Sequence, residues 1–251
     1  MKLLFSLLLV ASPFFVFSQN DTQRSIALDG AKAVHIYAAF SSVAITTGGT
    51  DEVKVDHTLT VNGSDRPDLR HLTVERVNDV LHLREVKPTA ELLEKENPQQ
   101  NGEPGFGGSK GGVNTVTVDA VLKVVVPAGV PVTVETKYGG IEATNVGGLL
   151  SAKARYGEVK AVFTNVQPEE ELELYSNYGA VDVTIPAGWG ADLDFTTEYG
   201  ELFTNVSINV DGEMSSEKDF YHRLIGTVGG GGSTIKCTAP YGDVYFREGS
   251  K

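Results

Sequence analysis

Acidic side chains recur at one position of a repeated pattern, directly after a tyrosine–glycine pair. In chain order this position holds Gly140, Glu158, Ala180, Glu201, Arg223 and Asp243. Carboxylates at a fixed separation cleave glycosidic bonds, one of them acting as general acid. If the repeats stack in chain order, acidic residues occupy every second layer and lie roughly 10 Å apart, beyond the ~6.5–9.5 Å of inverting glycosidases. Alternation at an exposed turn also avoids stacking like charges. We therefore predict solvated turn residues, no catalytic residue and no enzyme.

The tyrosines of the same pairs form a second candidate site, a possible interaction ladder. They are Tyr138, Tyr156, Tyr178, Tyr199 and Tyr241. Equivalent side chains of stacked parallel strands lie about 4.8 Å apart, so the rings would form a continuous row. Planar rings suit sugar faces and peptide contacts, but an aromatic row also serves as simple packing. Both interpretations stay open at this point.

Other chemistry-bearing residues lack the spacing that a site requires. The five histidines, His35, His57, His71, His82 and His222, show no metal-ligand motif, so no metal is predicted. Strand parity places His57 inward and neutral, and His35, His71 and His82 outward. The glycine-rich stretches 105–112 and 229–232 do not match a phosphate-binding loop, so no cofactor is predicted. Cys237, the single cysteine, sits at an inward position and reads as a buried, unreactive thiol.

Composition and the N-terminal segment indicate export. Residues 1–18 carry one charge, Lys2, and an apolar run typical of a signal peptide, with Gln19 as the expected first mature residue. No later segment is apolar enough to span a bilayer, so no membrane insertion is expected after cleavage. The net charge of −12 argues against nucleic acid and anionic lipid as partners. We expect a periplasmic, extracellular or cell-surface protein.

A period of about 20 residues must position these side chains. Residues six and four before each tyrosine are apolar, those two before are small, and those three after are aliphatic. This alternation predicts a half-buried strand, a turn and a second strand in each repeat. We assign the turns to Gly139, Gly157, Gly179, Gly200 and Gly242, each expected to adopt positive φ. The prediction is all-β: a single-stranded parallel β-solenoid, or β-helix-like stack, of Tyr-Gly coils.

The rest of the chain fits around that stack. A degraded copy of the repeat occurs at Phe40–Val43, and another copy is predicted at Tyr221, after an irregular excursion over about 207–222. Residues 51–87 predict a β-hairpin region that turns at Asn78-Asp79. Residues 88–113, rich in glycine and proline, predict a flexible insertion loop. We assign 19–251 to one domain.

The chain contains a strand followed by Val-Pro-Ala-Gly, then Val-x-Val-x-Thr and Tyr-Gly-x-Ile. This order of motifs resembles the bacterial adhesin-type family of β-strand-repeat envelope proteins, which is related to the head GIN domain group. The stretch from Gly229–Gly232 to Tyr241–Val244 carries the same resemblance. It covers roughly 30–250 and implies an exported envelope β-solenoid. The leading hypothesis is a non-enzymatic adhesion or interaction module whose partner is an envelope protein or a glycan. Alternatives are a polysaccharide-acting β-helix enzyme and an envelope-stress-associated structural protein.

Overall fold

The computed structural model describes residues 22–49, 51–86, 117–164 and 171–249. The predicted signal peptide 1–18 and the predicted loop 88–113 lie outside these ranges. The prediction of an all-β protein is confirmed, because the described regular elements are 21 strands and one short 3-10 helix, Pro67–Leu69. No helix in the described ranges is long and apolar enough to cross a membrane.

Eight strands precede the tyrosine–glycine repeats. They are β1 (Gln23–Ala27), β2 (Ala33–Ala38), β3 (Ser42–Gly48), β4 (Glu52–Val61), β5 (Ser64–Asp65), β6 (Leu72–Val77), β7 (Val80–Glu85) and β8 (Val118–Pro127). The predicted hairpin is present: β6 and β7 pair antiparallel, and Asn78 and Asp79 make the turn with φ of 49° and 62°. Asparagine and aspartate tolerate that left-handed conformation better than most residues.

Thirteen further strands follow. The repeats supply β9 (Val132–Thr136), β10 (Ile141–Thr144), β11 (Leu149–Ala154), β12 (Val159–Val162), β13 (Leu172–Ser176), β14 (Val181–Ile185), β15 (Ala191–Thr197) and β16 (Leu202–Thr204). The last part of the chain supplies β17 (Asn209–Val210), β18 (Ser216–Lys218), β19 (Tyr221–Val228), β20 (Ser233–Ala239) and β21 (Val244–Glu248).

These strands form two mixed sheets. One has the order β1-β4-β8-β3-β10-β12-β14-β21-β16, with β5 on β4; the other has the order β17-β19-β15-β20-β13-β11-β9-β2-β7-β6, with β18 on β19. Each tyrosine–glycine repeat places the strand before its tyrosine in the second sheet and the strand after it in the first. Repeats pair in parallel, while β1, β4, β6 and β19 pair antiparallel with their neighbours. The expectation of a uniformly parallel stack is therefore corrected to a parallel centre flanked by antiparallel strands at three of the four sheet ends; at the fourth end, β16 pairs with β21 in parallel.

The core lies between the two sheets. Most residues predicted to point inward are buried, among them Val132, Val134 and Ile141. Leu150 and Leu202 are only half-buried, and Leu149 takes the buried place opposite Val132 that was expected for Leu150. Phe163, Phe195 and Phe246 are among the largest buried side chains and are at most 2% exposed. Each such side chain contributes about 1.5–3 kcal/mol through burial. With Cys237 as the only cysteine, burial and strand pairing hold the sheets together.

The repeats do not stack in chain order. Strand β20 lies between β13 and β15, and β21 lies between β14 and β16. The last repeat is therefore inserted between the two repeats that precede it in the chain. The predicted repeat at Tyr221 is wrong, since Tyr221 begins β19, which runs antiparallel to β15. The positions before Tyr221 that would have to point inward are polar, so they cannot form a buried strand. The glycine turn after β19, with positive φ at Gly229, Gly230 and Gly231, sends the chain back into the stack.

The predicted excursion over 207–222 is only partly irregular. It contains β17 and β18, both of which pair antiparallel with β19. The degraded repeat at Phe40–Val43 takes its expected place, because Val43 pairs with Ile141 in parallel register.

Candidate interaction site: the tyrosine ladder

The five predicted tyrosines form one continuous stack of rings, which we call the tyrosine ladder. Its order is Tyr138, Tyr156, Tyr178, Tyr241 and Tyr199. Successive ring centroids are 5.4, 5.3, 5.1 and 5.2 Å apart, and the planes of neighbouring rings differ by no more than 13°. The row is regular because strand register fixes the spacing of the backbone beneath it.

The ladder is exposed along its whole length. The tyrosines range from 45% exposed at Tyr138 to 62% at Tyr199. The ring faces of the three inner tyrosines are covered by their neighbours. Ring edges and phenol groups are therefore the parts of the inner rings that a partner can reach.

Cationic and aromatic side chains flank the ladder. Lys137 Nζ lies 5.1 Å from the centre of the Tyr138 ring, and Arg155 Cζ lies 5.3 Å from the centre of the Tyr156 ring. Such contacts stabilise a ring orientation modestly when they are exposed. At the opposite end Phe220, which is 70% exposed, packs on Tyr199 with ring centres 5.6 Å apart. The sequence pattern does not predict Phe220 as part of the site, because Phe220 occupies no repeat position. The fold brings it to the end of the ladder from the turn between β18 and β19.

The ladder glycines are required for a different reason from the one predicted. None of Gly139, Gly157, Gly179, Gly200 and Gly242 has positive φ, so that expectation is wrong. Instead, each lies against a backbone carbonyl of the layer below, and a Cβ atom would come closer than 3.0 Å to it. The carbonyl facing Gly157 belongs to Gly139, and the one facing Gly179 belongs to Gly157. Close backbone approach excludes a side chain here.

Small hydroxyl residues two positions before the tyrosines lock the same turns. Ser176 Oγ donates to the Gly157 carbonyl at 2.7 Å and accepts from the Gly179 N–H at 2.8 Å. Thr197 Oγ1 makes the equivalent pair of bonds, to Gly242 at 2.9 Å and from Gly200 at 3.0 Å. Each hydroxyl thus joins two layers directly beneath the rings, which holds the ladder in a fixed geometry.

The acidic row departs from its predicted alternation. Because the last repeat is inserted, Asp243 and Glu201 are neighbours, and Asp243 Oδ1 accepts from the Glu201 N–H at 2.9 Å. The other carboxylate oxygen accepts from the Tyr245 hydroxyl at 3.0 Å, and this bond raises the pKa of Tyr245. Arg223 lies outside the row, in β19, where it pairs with Asp194. The Asp243 carboxylate therefore fastens a turn rather than facing a second acid.

A buried cluster of Ser41, His57 and Glu85 resembles a catalytic triad in composition only. Ser41 Oγ donates to Glu85 Oε1 at 2.5 Å, and His57 Nε2 lies 3.1 Å from the same oxygen. In a triad the histidine stands between the nucleophile and the acid, whereas here the carboxylate binds the hydroxyl itself. The three residues are at most 5% exposed. The inward position predicted for His57 is confirmed.

Glu85 also binds the backbone of the turn between β2 and β3. Its Oε2 accepts from the N–H groups of Phe40 and Ser41 at 2.8 and 2.9 Å. Burial would raise the pKa of Glu85, but the hydrogen bonds from His57, Ser41 and Phe40 outweigh burial and hold that pKa below its usual value. Cys237 is fully buried, as predicted, and burial raises the pKa of its thiol strongly.

Comparisons with known proteins support the fold. A crystal structure of a proposed cell-adhesion protein from Clostridium sporogenes ATCC 15579 matches with a TM-score of 0.59 and 12% sequence identity, covering 90% of this chain and 98% of that one. A proposed adhesin from Bacteroides fragilis NCTC 9343 matches at 11% identity over 90% of this chain and 95% of that chain; its TM-score of 0.29 carries no structural argument. No protein-family model and no curated protein matches the sequence. The first likeness places the chain in the same all-β fold as that clostridial protein.

Proposed function

We propose that the protein is an exported, non-enzymatic adhesion-type module of the bacterial envelope, and that the tyrosine ladder is its contact surface. In this proposal the parallel repeats constitute a short β-solenoid that carries the ladder. The observation behind it is the row of five stacked rings, 45–62% exposed, on a rigid backbone. Exposed aromatic rows of this size are uncommon on surfaces without partners. The match to a proposed cell-adhesion protein is consistent with this role.

The geometry of the ladder favours an extended glycan over a protein partner. Ring faces are closed inside the stack, so a sugar cannot lie flat on an inner ring. The rings instead repeat every 5.1–5.4 Å along the ladder, with their edges and phenol groups outward. An extended β-1,4-linked polysaccharide repeats its sugar rings at a similar interval. Such a chain lying along the ladder would meet one tyrosine per sugar.

Rigidity strengthens such a surface. A tyrosine side chain has only two flexible torsions, and stacking already restricts both, so little conformational entropy is lost on binding. Each phenol hydrogen bond contributes only about 0.5–1.5 kcal/mol. Several such bonds along one polymer chain combine into useful affinity, because the later contacts are intramolecular.

Two other functions compete with this proposal. A polysaccharide-acting enzyme would need a general acid with a raised pKa, which requires burial or a close like charge. Glu158 and Glu201 are exposed turn residues, and Asp243 already accepts two hydrogen bonds. A structural envelope component that binds another protein would also use an exposed surface, and the ladder's regular repeat is what favours a polymer over it.

Binding assays with ladder variants test the proposal. The probes are insoluble cellulose, chitin and peptidoglycan, and the triple variant changes Tyr156, Tyr178 and Tyr241 to Phe. This change keeps the rings stacked and removes only the hydroxyls, so affinity for the bound polymer should fall roughly ten- to a hundredfold. The matched control is Tyr37→Phe, on a tyrosine outside the ladder, which should bind as the wild type does. Equal binding by both variants, or release of soluble sugars by the wild type, would contradict the proposal.

Export has a separate test. Cell fractionation should recover the protein outside the cytoplasm, with Gln19 at its N-terminus. An intact residue 1 in the cytoplasmic fraction would remove the envelope assignment while leaving the ladder in place.

A further inference from the structure

Two histidines from distant parts of the chain face each other on the outer surface of the second sheet. His35 on β2 and His82 on β7 are direct partners in parallel register. Their Nδ1 atoms are 3.2 Å apart, and the ring planes are nearly perpendicular, at 84°. We propose that this pair binds a divalent transition-metal ion such as Zn²⁺ or Ni²⁺.

The separation of the two nitrogens suits a metal. Tetrahedral Zn²⁺ with Zn–N bonds of about 2.0–2.1 Å holds two ligand nitrogens roughly 3.3–3.4 Å apart. The observed 3.2 Å therefore requires only a slight opening of the pair. Imidazole nitrogen is a favoured ligand of Zn²⁺, Ni²⁺ and Cu²⁺. The two protein ligands leave coordination positions for water.

A carboxylate stands where an outer-shell partner belongs. Glu135 Oε1 on β9 lies 3.8 Å from Nε2 of His35, the ring nitrogen that does not face His82. Histidines that bind metals commonly donate their second ring N–H to a carboxylate, which fixes the tautomer and raises ligand basicity. With Nε2 protonated toward Glu135, Nδ1 of His35 presents its lone pair to the metal.

Burial favours the neutral, metal-binding form of His35. Burial lowers the pKa of His35; Glu135 raises it, while His82 and Arg84 lower it further, and the net direction is down. The Arg84 guanidinium lies over the Tyr37 ring, 4.9 Å from its centre. Glu75 on β6 pairs with His82 from the other side and adds a negative charge beside the site. Only neutral imidazole binds metal.

A metal at this place would join two parts of the fold. Strand β7 belongs to the β6–β7 hairpin, and β2 belongs to the first layer of the parallel stack. An ion that binds both strands in the folded state, and neither in the unfolded chain, stabilises the protein by mass action. The site lies on the outer surface of the second sheet and uses none of the ladder tyrosines, so it is independent of the proposed function.

Thermal unfolding and calorimetry with Zn²⁺ and Ni²⁺ test the site on the purified protein. The wild type should bind one ion and unfold at a higher temperature than in EDTA. Both effects should disappear in His35→Gln and in His82→Gln, and Glu135→Gln should weaken binding about tenfold. The matched controls are His71→Gln and His222→Gln, which should bind like the wild type.

The outcomes separate the proposal from a simple hydrogen bond between the rings. In EDTA, the His35→Gln and His82→Gln variants should unfold near the wild-type temperature, which shows that they are folded. No stabilisation of the wild type by either metal would overturn the proposal. Undiminished binding by both variants would also overturn it, because the ion would then be held elsewhere.

Discussion

A neighbouring carbonyl oxygen makes glycine necessary after each ladder tyrosine. At Gly157 the oxygen belongs to Gly139, and at Gly242 it belongs to Gly179. The two backbones approach until there is no space for a methyl group, and the rings above can then stack at 5.1–5.4 Å. The residue type therefore follows from packing between layers.

Gly157→Ala should destabilise the protein by about 1–3 kcal/mol, because the new Cβ overlaps backbone atoms that cannot move independently. Chemical denaturation measures this change. Gly212→Ala is the matched control, since a Cβ there meets nothing within 4 Å and the φ is not positive; it should be close to neutral. Similar stabilities for the two variants would mean that the layers are not in this close contact.

Glu85 is a buried residue whose charge contributes to the stability of the fold. Its folded-state pKa is lower than the ordinary value of 4.5, so its contribution to stability is fully present above that pH and is lost as pH falls through the folded pKa. The wild type should therefore lose stability as pH falls below about 4.5 more steeply than Glu85→Gln does. Glu85→Gln should also cost roughly 2–4 kcal/mol at neutral pH, because the hydrogen bonds of Ser41 and Phe40 are weakened.

Denaturation curves across this pH range measure both effects. Glu173→Gln, at a partly exposed glutamate that pairs with Lys153, is the control and should follow the wild type. Parallel curves for the wild type and Glu85→Gln would show that Glu85 does not carry the pH dependence.

Among the elements, the last repeat has the most demanding position. Strand β20 pairs with both β13 and β15, and β21 pairs with both β14 and β16. Cys237 and Phe246 from these strands are fully or almost fully buried. The final strands of the chain thus complete the middle of the sheets, and β15 and β16 depend on residues that follow them in sequence.

Deleting 233–251 should therefore abolish cooperative unfolding, because it opens a gap between layers instead of shortening one end. Circular dichroism during heating measures the loss. The control is deletion of 92–110, which removes an equal number of residues from the predicted insertion loop and should leave the melting temperature nearly unchanged. A truncated chain that melts cooperatively near the wild-type temperature would contradict the insertion of the last repeat.

Local patterns predicted the strands but not their spatial order. The alternation around Tyr138 or Tyr156 reflects which side chains are buried, and burial is a property of each strand. The insertion of Tyr241 between Tyr178 and Tyr199 depends on pairing between distant strands, which leaves no mark in either segment. The same holds for His35 and His82, which are separated by 47 positions. The sequence predicts no metal site, because only the pairing register of β2 and β7 brings the two histidines together.

At the scale of the whole molecule, two mixed sheets enclose one main core and carry a regular aromatic row on their surface. Antiparallel strands flank the parallel centre except at β16, which pairs with β21 in parallel. The negative net charge of −12 keeps polyanions away and leaves neutral polymers as the best-matched partners. These features are consistent with the adhesion-type module proposed above.

The most direct measurement is fluorine NMR of the protein labelled with fluorotyrosine, titrated with soluble β-1,4-linked oligosaccharides of glucose and of N-acetylglucosamine. The signals of Tyr138, Tyr156, Tyr178, Tyr241 and Tyr199 should shift together as one of the sugars is added. Those of Tyr37 and Tyr245, which lie outside the ladder, should stay in place. Shifts confined to Tyr37 or Tyr245, or no shift with either sugar, would contradict the assignment of the ladder as a glycan-binding surface.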